Sequence, residues 1–142
     1  MGEFMIKIRY NTLTSEEWAY LRSSTPWTSQ PKEVFATALE NSLQTVAAYY
    51  NDNIIGMGRI TGDNILSFFI QDVIVLPDYQ NKGIGTLLVN SLLDYARRHA
   101  VSTTVVSLMA SQGKEAFYEK LGFQKRDGLI KGMGMELIIN PN

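Results

Sequence analysis

A mixed α/β sheet with flanking helices is the fold class this sequence predicts, and three observations predict it. Three apolar runs follow one another between residues 43 and 76, parted only by the short turns NDN and TGDN. That spacing builds an antiparallel meander. Beyond residue 83 the strand-like runs are separated by helical stretches, which requires crossover connections and parallel pairing. The opening MIKIRY alternates apolar and polar residues as a strand does. The sheet is therefore expected to be mostly antiparallel, with some parallel pairing late in the chain.

Each element follows from local chemistry. Residues 5–10 form the first strand. Thr14 with Glu17 three positions later is a capping box, opening a helix that carries Trp18 and Leu21 on one face. STPWTSQP breaks that helix, and Pro31 suits the first turn of a second one over 31–42, with Val34, Phe35, Ala38 and Leu39 at core spacing. LQTVAAYY, NDN and IIGMGRI read as strand, turn and strand, with Gly56 and Gly58 at a bulge. After TGDN, the run ILSFFIQDVIVL is a long strand ended by Pro77. The helix after Gly83 carries Ile84, Leu87, Leu88, Ser91, Leu92 and Tyr95 along one stripe. STTVVSLM is a buried strand, GKEAFYEKLGF a short helix closed by Gly122, and LIKGMGMELII a closing strand. Residues 5–142 read as one domain, and MGEF ahead of Met5 reads as a cloning remnant.

Composition removes several function classes. The 142 residues are 45% hydrophobic and 19% charged, the balance of an ordinary globular protein, and no apolar run is long enough for a membrane span. With a net charge of −1 and no basic run, no field favours nucleic acid. The chain has no cysteine, which excludes disulfides, thiolate nucleophiles and Cys-type zinc sites. The single His99 follows Arg97 and Arg98 at a helix C-terminus, where cations suit the dipole, so it reads as structural and no metal site is expected. A cytoplasmic location is the default.

The stretch LPDYQNKGIGTLLVNSLL sets two glycines at the first turn of a helix. A helix N-terminus offers unpaired N–H groups to a phosphate, and glycines let the backbone approach it. A close-packed turn without ligand explains the glycines equally well. A P-loop fails, because Lys82 precedes the glycines, and a dinucleotide fingerprint fails, because no third glycine follows Gly85. What remains is Q-x-x-G-x-G at Gln80, Gly83 and Gly85.

With that loop, the sequence resembles the GCN5-related N-acetyltransferase (GNAT) family. GKEAFYEKLGF also looks like the family's later motif, and the likeness spans nearly the whole chain. The resemblance implies acetyl-coenzyme A as co-substrate, with its pyrophosphate on Gln80, Lys82, Gly83, Ile84, Gly85 and Thr86. It implies a bulge that splays the preceding strand from its parallel neighbour, so that the pantetheine arm pairs with Val73, Ile74 and Val75. The Val75 N–H then polarises the thioester carbonyl, and Tyr118 protonates the departing thiolate. Where many members carry an asparagine, this chain has Ala110, Ser111 and Gln112, so Ser111 or backbone is the replacement contact expected.

The remaining roles are read from the residues. Deprotonating an amine points to Asp72 as a base, or else Asp72 is a structural carboxylate and bulk water takes the proton; Gln71 is expected on the opposite strand face, and Glu33 and Glu40 are further candidates. Trp27 in the loop between the first helices, Phe68 and Gln71 are the expected acceptor contacts, with Tyr49, Ser107, Met133 and Met135 as further ones. The expected activity is direct acetyl transfer to a primary amine in a ternary complex, since no cysteine can carry an acyl group. A small-molecule acceptor is expected, and homodimerisation, common in the family, stays open. The rival class is an acyl-coenzyme A sensor without turnover; a nucleotide-binding regulator conflicts with the failed spacings.

Overall fold

The computed structural model describes residues 5–139, so the expected remnant at 1–4 lies outside the described residues. The chain divides into two compact units, one ending at Leu108 and one beginning at Met109.

The first unit holds a five-stranded sheet in the order β1-β2-β3-β4-β5. The strands are β1 (Ile6–Tyr10), β2 (Gln44–Tyr50), β3 (Asn53–Gly62), β4 (Ser67–Val75) and β5 (Val105–Ser107). The first four pair antiparallel, and β5 pairs parallel to β4. The expected meander is thus present. Asn51 and Asp52 both take left-handed backbone between β2 and β3, as a tight hairpin turn requires.

Helix α1 (Ser15–Arg22) starts on the expected capping box, in which Glu17 N–H donates to Thr14 Oγ1 and Thr14 N–H to Glu17 Oε1. Helix α2 (Lys32–Glu40) follows Pro31. It buries Phe35, whose ring stacks on Trp18 at 4.4 Å, but leaves Val34 exposed, against its expected core place. The nine-residue helix packs on α1, and Val34 falls outside the face that does so.

Helix α3 (Ile84–His99) lies on the sheet. Its buried face is Ile84, Leu88, Val89, Leu92, Leu93 and Ala96, so the stripe is rotated from the expected one and Leu87 is exposed. Two glycines of β3 explain how closely it packs. A Cβ at Gly56 would sit 3.0 Å from Ile74 O and 3.1 Å from Leu88 Cδ1, and one at Gly58 would sit 3.0 Å from Leu92 Cδ1. The glycines make room for helix side chains. His99 accordingly plays a packing part, with its ring stacked on Tyr95 at 4.4 Å.

The turn into β4 is closed by Asp63, whose Oδ1 accepts the N–H groups of Ile65, Leu66 and Ser67 at 3.0, 2.8 and 3.0 Å. These bonds, the one from Ser67 first, hold its pKa below the ordinary value of 3.8. A depressed folded pKa contributes stability above the unfolded value, and loses it as pH falls through the folded one. The stability advantage of wild type over Asp63→Asn is therefore expected to shrink as pH falls below about 5, as read by thermal melts.

The second unit contains α4 (Glu115–Lys120). Gly122 at φ +99 closes it, with Gly122 N–H donating to Glu119 O and Phe123 N–H to Tyr118 O. That double bond pattern is a Schellman cap, in agreement with the expected glycine stop. The expected closing strand over 129–139 does not form: these residues have no strand pairing. Ile130 is 97% and Met135 89% exposed. An apolar alternation specifies a face, whereas a strand exists only through a hydrogen-bonded neighbour, and Gly132 and Gly134 weaken the run further.

Candidate active site

The end of β4 and the start of α3 are tied together. Pro77–Tyr79 form one 3-10 turn, and Gln80 Nε2 then donates to Val75 O at 2.9 Å. Asn81 and Gly83 take left-handed backbone, φ +63 and +84, which turns the chain into α3. No side chain caps that helix, no acid occupies its first turn, and Arg97, Arg98 and His99 complement its far end. The first-turn N–H groups of Ile84, Gly85 and Thr86 precede the earliest intrahelical donor, Leu87, which reaches Gly83 O. A Cβ at Gly83 would meet no atom within 4 Å. The loop thus has the open, donor-rich character that a pyrophosphate needs.

Strand β4 carries an extra residue. Gln71 stands opposite Arg59 and Ile74 opposite Met57, so Asp72 and Val73 together face Gly58. Asp72 takes φ +56, the left-handed conformation that makes this bulge. Past the bulge, Leu76 N–H donates to Ile55 O. By the alternation of an antiparallel ladder, Ile74 then faces β3, while the N–H and C=O of Val75 face away from it. Strand β5 pairs only with Ser67–Phe69, so the outward edge of Val73–Val75 lies past the parallel ladder.

The bulge also corrects the expectation that Gln71 and Asp72 face opposite ways. Arg59 reaches both, with Nε on Asp72 Oδ2 at 2.8 Å and an Nη on Gln71 Oε1 at 2.7 Å. The extra residue breaks the two-residue side-chain period. The other oxygen of Asp72 accepts from Arg22 Nη1 at 2.8 Å. The Asp72 side chain is 10% exposed, and both its oxygens hold charge-assisted bonds. Arg22 further donates from Nε to Thr28 O at 2.8 Å, and its guanidinium lies 5.6 Å from the Trp27 ring centre. Arg59 lies over Trp18 at 4.9 Å.

Neither arginine was predicted from the sequence. Arg59 in the apolar run IIGMGRI was a signal, since a cation inside a strand needs a partner. Arg22 gave none, since its acidic partner Asp72 lies 50 positions away along the chain.

The other candidates scatter. Trp27 packs against the core beside Arg22. Phe68 is 2% exposed and meets Tyr95 edge-on, so its ring is core and offers an acceptor no surface, against expectation. Tyr49 is also buried; its hydroxyl donates to Glu17 Oε2 at 2.6 Å, and burial first, then that carboxylate, push its pKa up to about 12. Glu33 and Glu40 are exposed on α2. In the second unit, Ser111 O accepts from Lys114 N–H at 2.9 Å, just ahead of α4. On α4 itself, Tyr118 is half-buried between Phe117 and Phe123 at 4.9 and 5.8 Å, and burial raises its pKa. Among the described residues no cluster of His, Asp and Glu could hold a metal ion, and no helix is long and apolar enough to cross a membrane.

A bulged strand thus leads through a glycine turn into a helix with no side-chain cap. The sequence pattern of the acetyltransferase (GNAT) family matches residues 10–123. The uncharacterized N-acetyltransferase ycf52 of Pyropia yezoensis is 32% identical over 121 residues, covering 82% of this chain and 68% of that protein. A protein of unknown function from meticillin-resistant Staphylococcus aureus superposes with a TM-score of 0.84 at 32% identity, over 94% of this chain and 100% of that one. A GNAT-family acetyltransferase from Streptococcus pneumoniae gives 0.80 at 30% identity, over 97% and 100%. The chain belongs to the GNAT family of acetyltransferases.

Proposed function

We propose that this protein transfers the acetyl group of acetyl-coenzyme A to a primary amine of a small molecule, by direct attack in a ternary complex. One observation carries the reading: the bond from Gln80 to Val75 fixes the outward Val75 N–H next to the uncapped start of α3. A thioester acceptor site and a phosphate site are thereby held in one rigid turn. Bound acetyl-coenzyme A supplies the activated acyl group. Ile84, Gly85 and Thr86 donate N–H groups to the pyrophosphate, with Lys82 and Gly83 shaping the same turn. The outward edge of Val73–Val75 takes the pantetheine as an added strand. Val75 N–H stabilises the charge that develops on the carbonyl oxygen, a contribution of about 3 kcal/mol when aligned. Tyr118 gives its proton to the leaving thiolate, and Ser111 contacts the coenzyme.

Asp72 is assigned a positioning role, because both its oxygens are held by arginines. The amine's proton passes to solvent. Trp27 and Gln71, beside those arginines, flank the acceptor.

The test is thiol release from acetyl-coenzyme A with a panel of amines. Since the chain has no cysteine, a thiol reagent reads coenzyme A without protein background. Turnover that requires an amine supports the transferase. Coenzyme binding without release for any amine favours a sensor, and absence of binding removes the reading of the glycine turn.

A further inference from the structure

We propose that the acceptor amine carries an anionic group, a carboxylate or a phosphate, which Arg22 recognises. This rests on the transferase reading above and names its substrate class.

The starting point is a charge imbalance. Arg22 and Arg59 share the single carboxylate of Asp72, and among the described residues neither forms an ion pair with any other acid. The second hydrogen-bond partner of Arg59 is the uncharged Gln71, and the third is the Ser42 hydroxyl at 3.4 Å. The cluster therefore holds two cations and one anion. Its side chains are only 19%, 13% and 10% exposed for Arg22, Arg59 and Asp72. Burying an uncompensated charge is unfavourable, and an anion bound there offsets it. The faces of Trp18, Trp27 and Phe35 offset part of the charge but offer no hydrogen-bond acceptor in the plane of a guanidinium.

Arg22 is the arginine suited to the task. A guanidinium has five N–H donors. Arg22 commits one to Thr28 O and one to Asp72, and is the more exposed of the pair. Arg59 uses three, all on the fold. The fork of Arg22 is oriented by Asp72 and the Thr28 carbonyl, a preorganisation that favours bidentate binding of carboxylate or phosphate.

The location also fits. Arg22 meets Asp72 three residues before Val75, a span of at most about 10 Å along a strand. That reach suits an amine separated from its acid group by several bonds, and not an α-amino acid.

The experiment compares matched acceptors: pentylamine with δ-aminovalerate, and ethanolamine with phosphoethanolamine. At saturating acetyl-coenzyme A, the anionic member of at least one pair is expected to have the higher kcat/KM by about tenfold or more. Which pair responds separates carboxylate from phosphate. Arg22→Gln is expected to collapse the ratio within the responding pair through KM, and Arg22→Lys to restore part of it. Inorganic sulfate is expected to compete with the anionic acceptor on wild type, a readout that needs no variant to fold. Equal kcat/KM within both pairs, an equal loss for both members in Arg22→Gln, or absence of sulfate competition overturns the inference while turnover of neutral amines keeps the transferase. No thiol release with any amine overturns both.

Discussion

Asparagine in place of Asp72 is expected to cost about 3 kcal/mol of stability and to lower Tm by about 10 °C. One carboxylate satisfies two mostly buried guanidiniums, at 2.8 Å each. Neutralising it leaves both cations with weaker partners, and uncompensated buried charge is among the largest single-residue penalties known. Asparagine isolates that effect, because it tolerates the left-handed backbone found at φ +56 and keeps the side-chain shape. Urea unfolding checks it: the midpoint falls while the m-value stays, since the surface exposed on unfolding is unchanged. A loss under about 1 kcal/mol would mean that solvent screens the cluster. Measured where the variant is still folded, kcat separates the alternatives for the amine's proton, because a lost general base costs about 10²-fold or more.

Phenylalanine at position 118 is expected to lower kcat by about 10²–10³-fold with coenzyme affinity and Tm nearly unchanged. The phenol sits between Phe117 and Phe123, so the ring's packing survives the loss of one oxygen. No hydrogen bond contributes to the shift of its pKa, which burial alone produces, so the substitution breaks no bond that tunes the phenol. Burial raises its pKa, so the proton is present throughout the neutral range and is lost only as pH rises beyond the usual phenol value of 10.0. Steady-state kinetics with the best acceptor from the amine panel provide the check. An unchanged kcat would assign the thiolate's proton to water.

How much of this was legible in the chain depended on the range of the interaction. The capping box at Thr14 and Glu17, the hairpin turn at Asn51 and Asp52 and the glycine stop at Gly122 are each settled within a few residues, and each stands as read. The glycine turn was legible as a donor-rich helix start for the same reason. The bulge in β4 was expected only from the family resemblance, and its seat at Asp72 was not legible. A left-handed aspartate inside VIV-like sequence has no local signature, and its position depends on how β3 registers against β4. The arginine cluster joins residues 13 and 50 positions apart, beyond any periodicity. The misplaced Val34 and Leu87 and the missing strand over 129–139 share one cause: a pattern states which side is apolar, and only the neighbours decide whether that side is covered.

On the proposed reading of the glycine turn, the amide of Gln80 on the carbonyl of Val75 bears on how fast and how selectively the coenzyme would be taken up. A loose glycine loop would pay its ordering entropy at each encounter, about 1 kcal/mol or more for every residue it had to immobilise. Here that cost is met once, when the chain folds. On that reading the cradle would act as a rigid socket: association would not wait for a slow rearrangement, and discrimination would fall on the shape of the incoming phosphates.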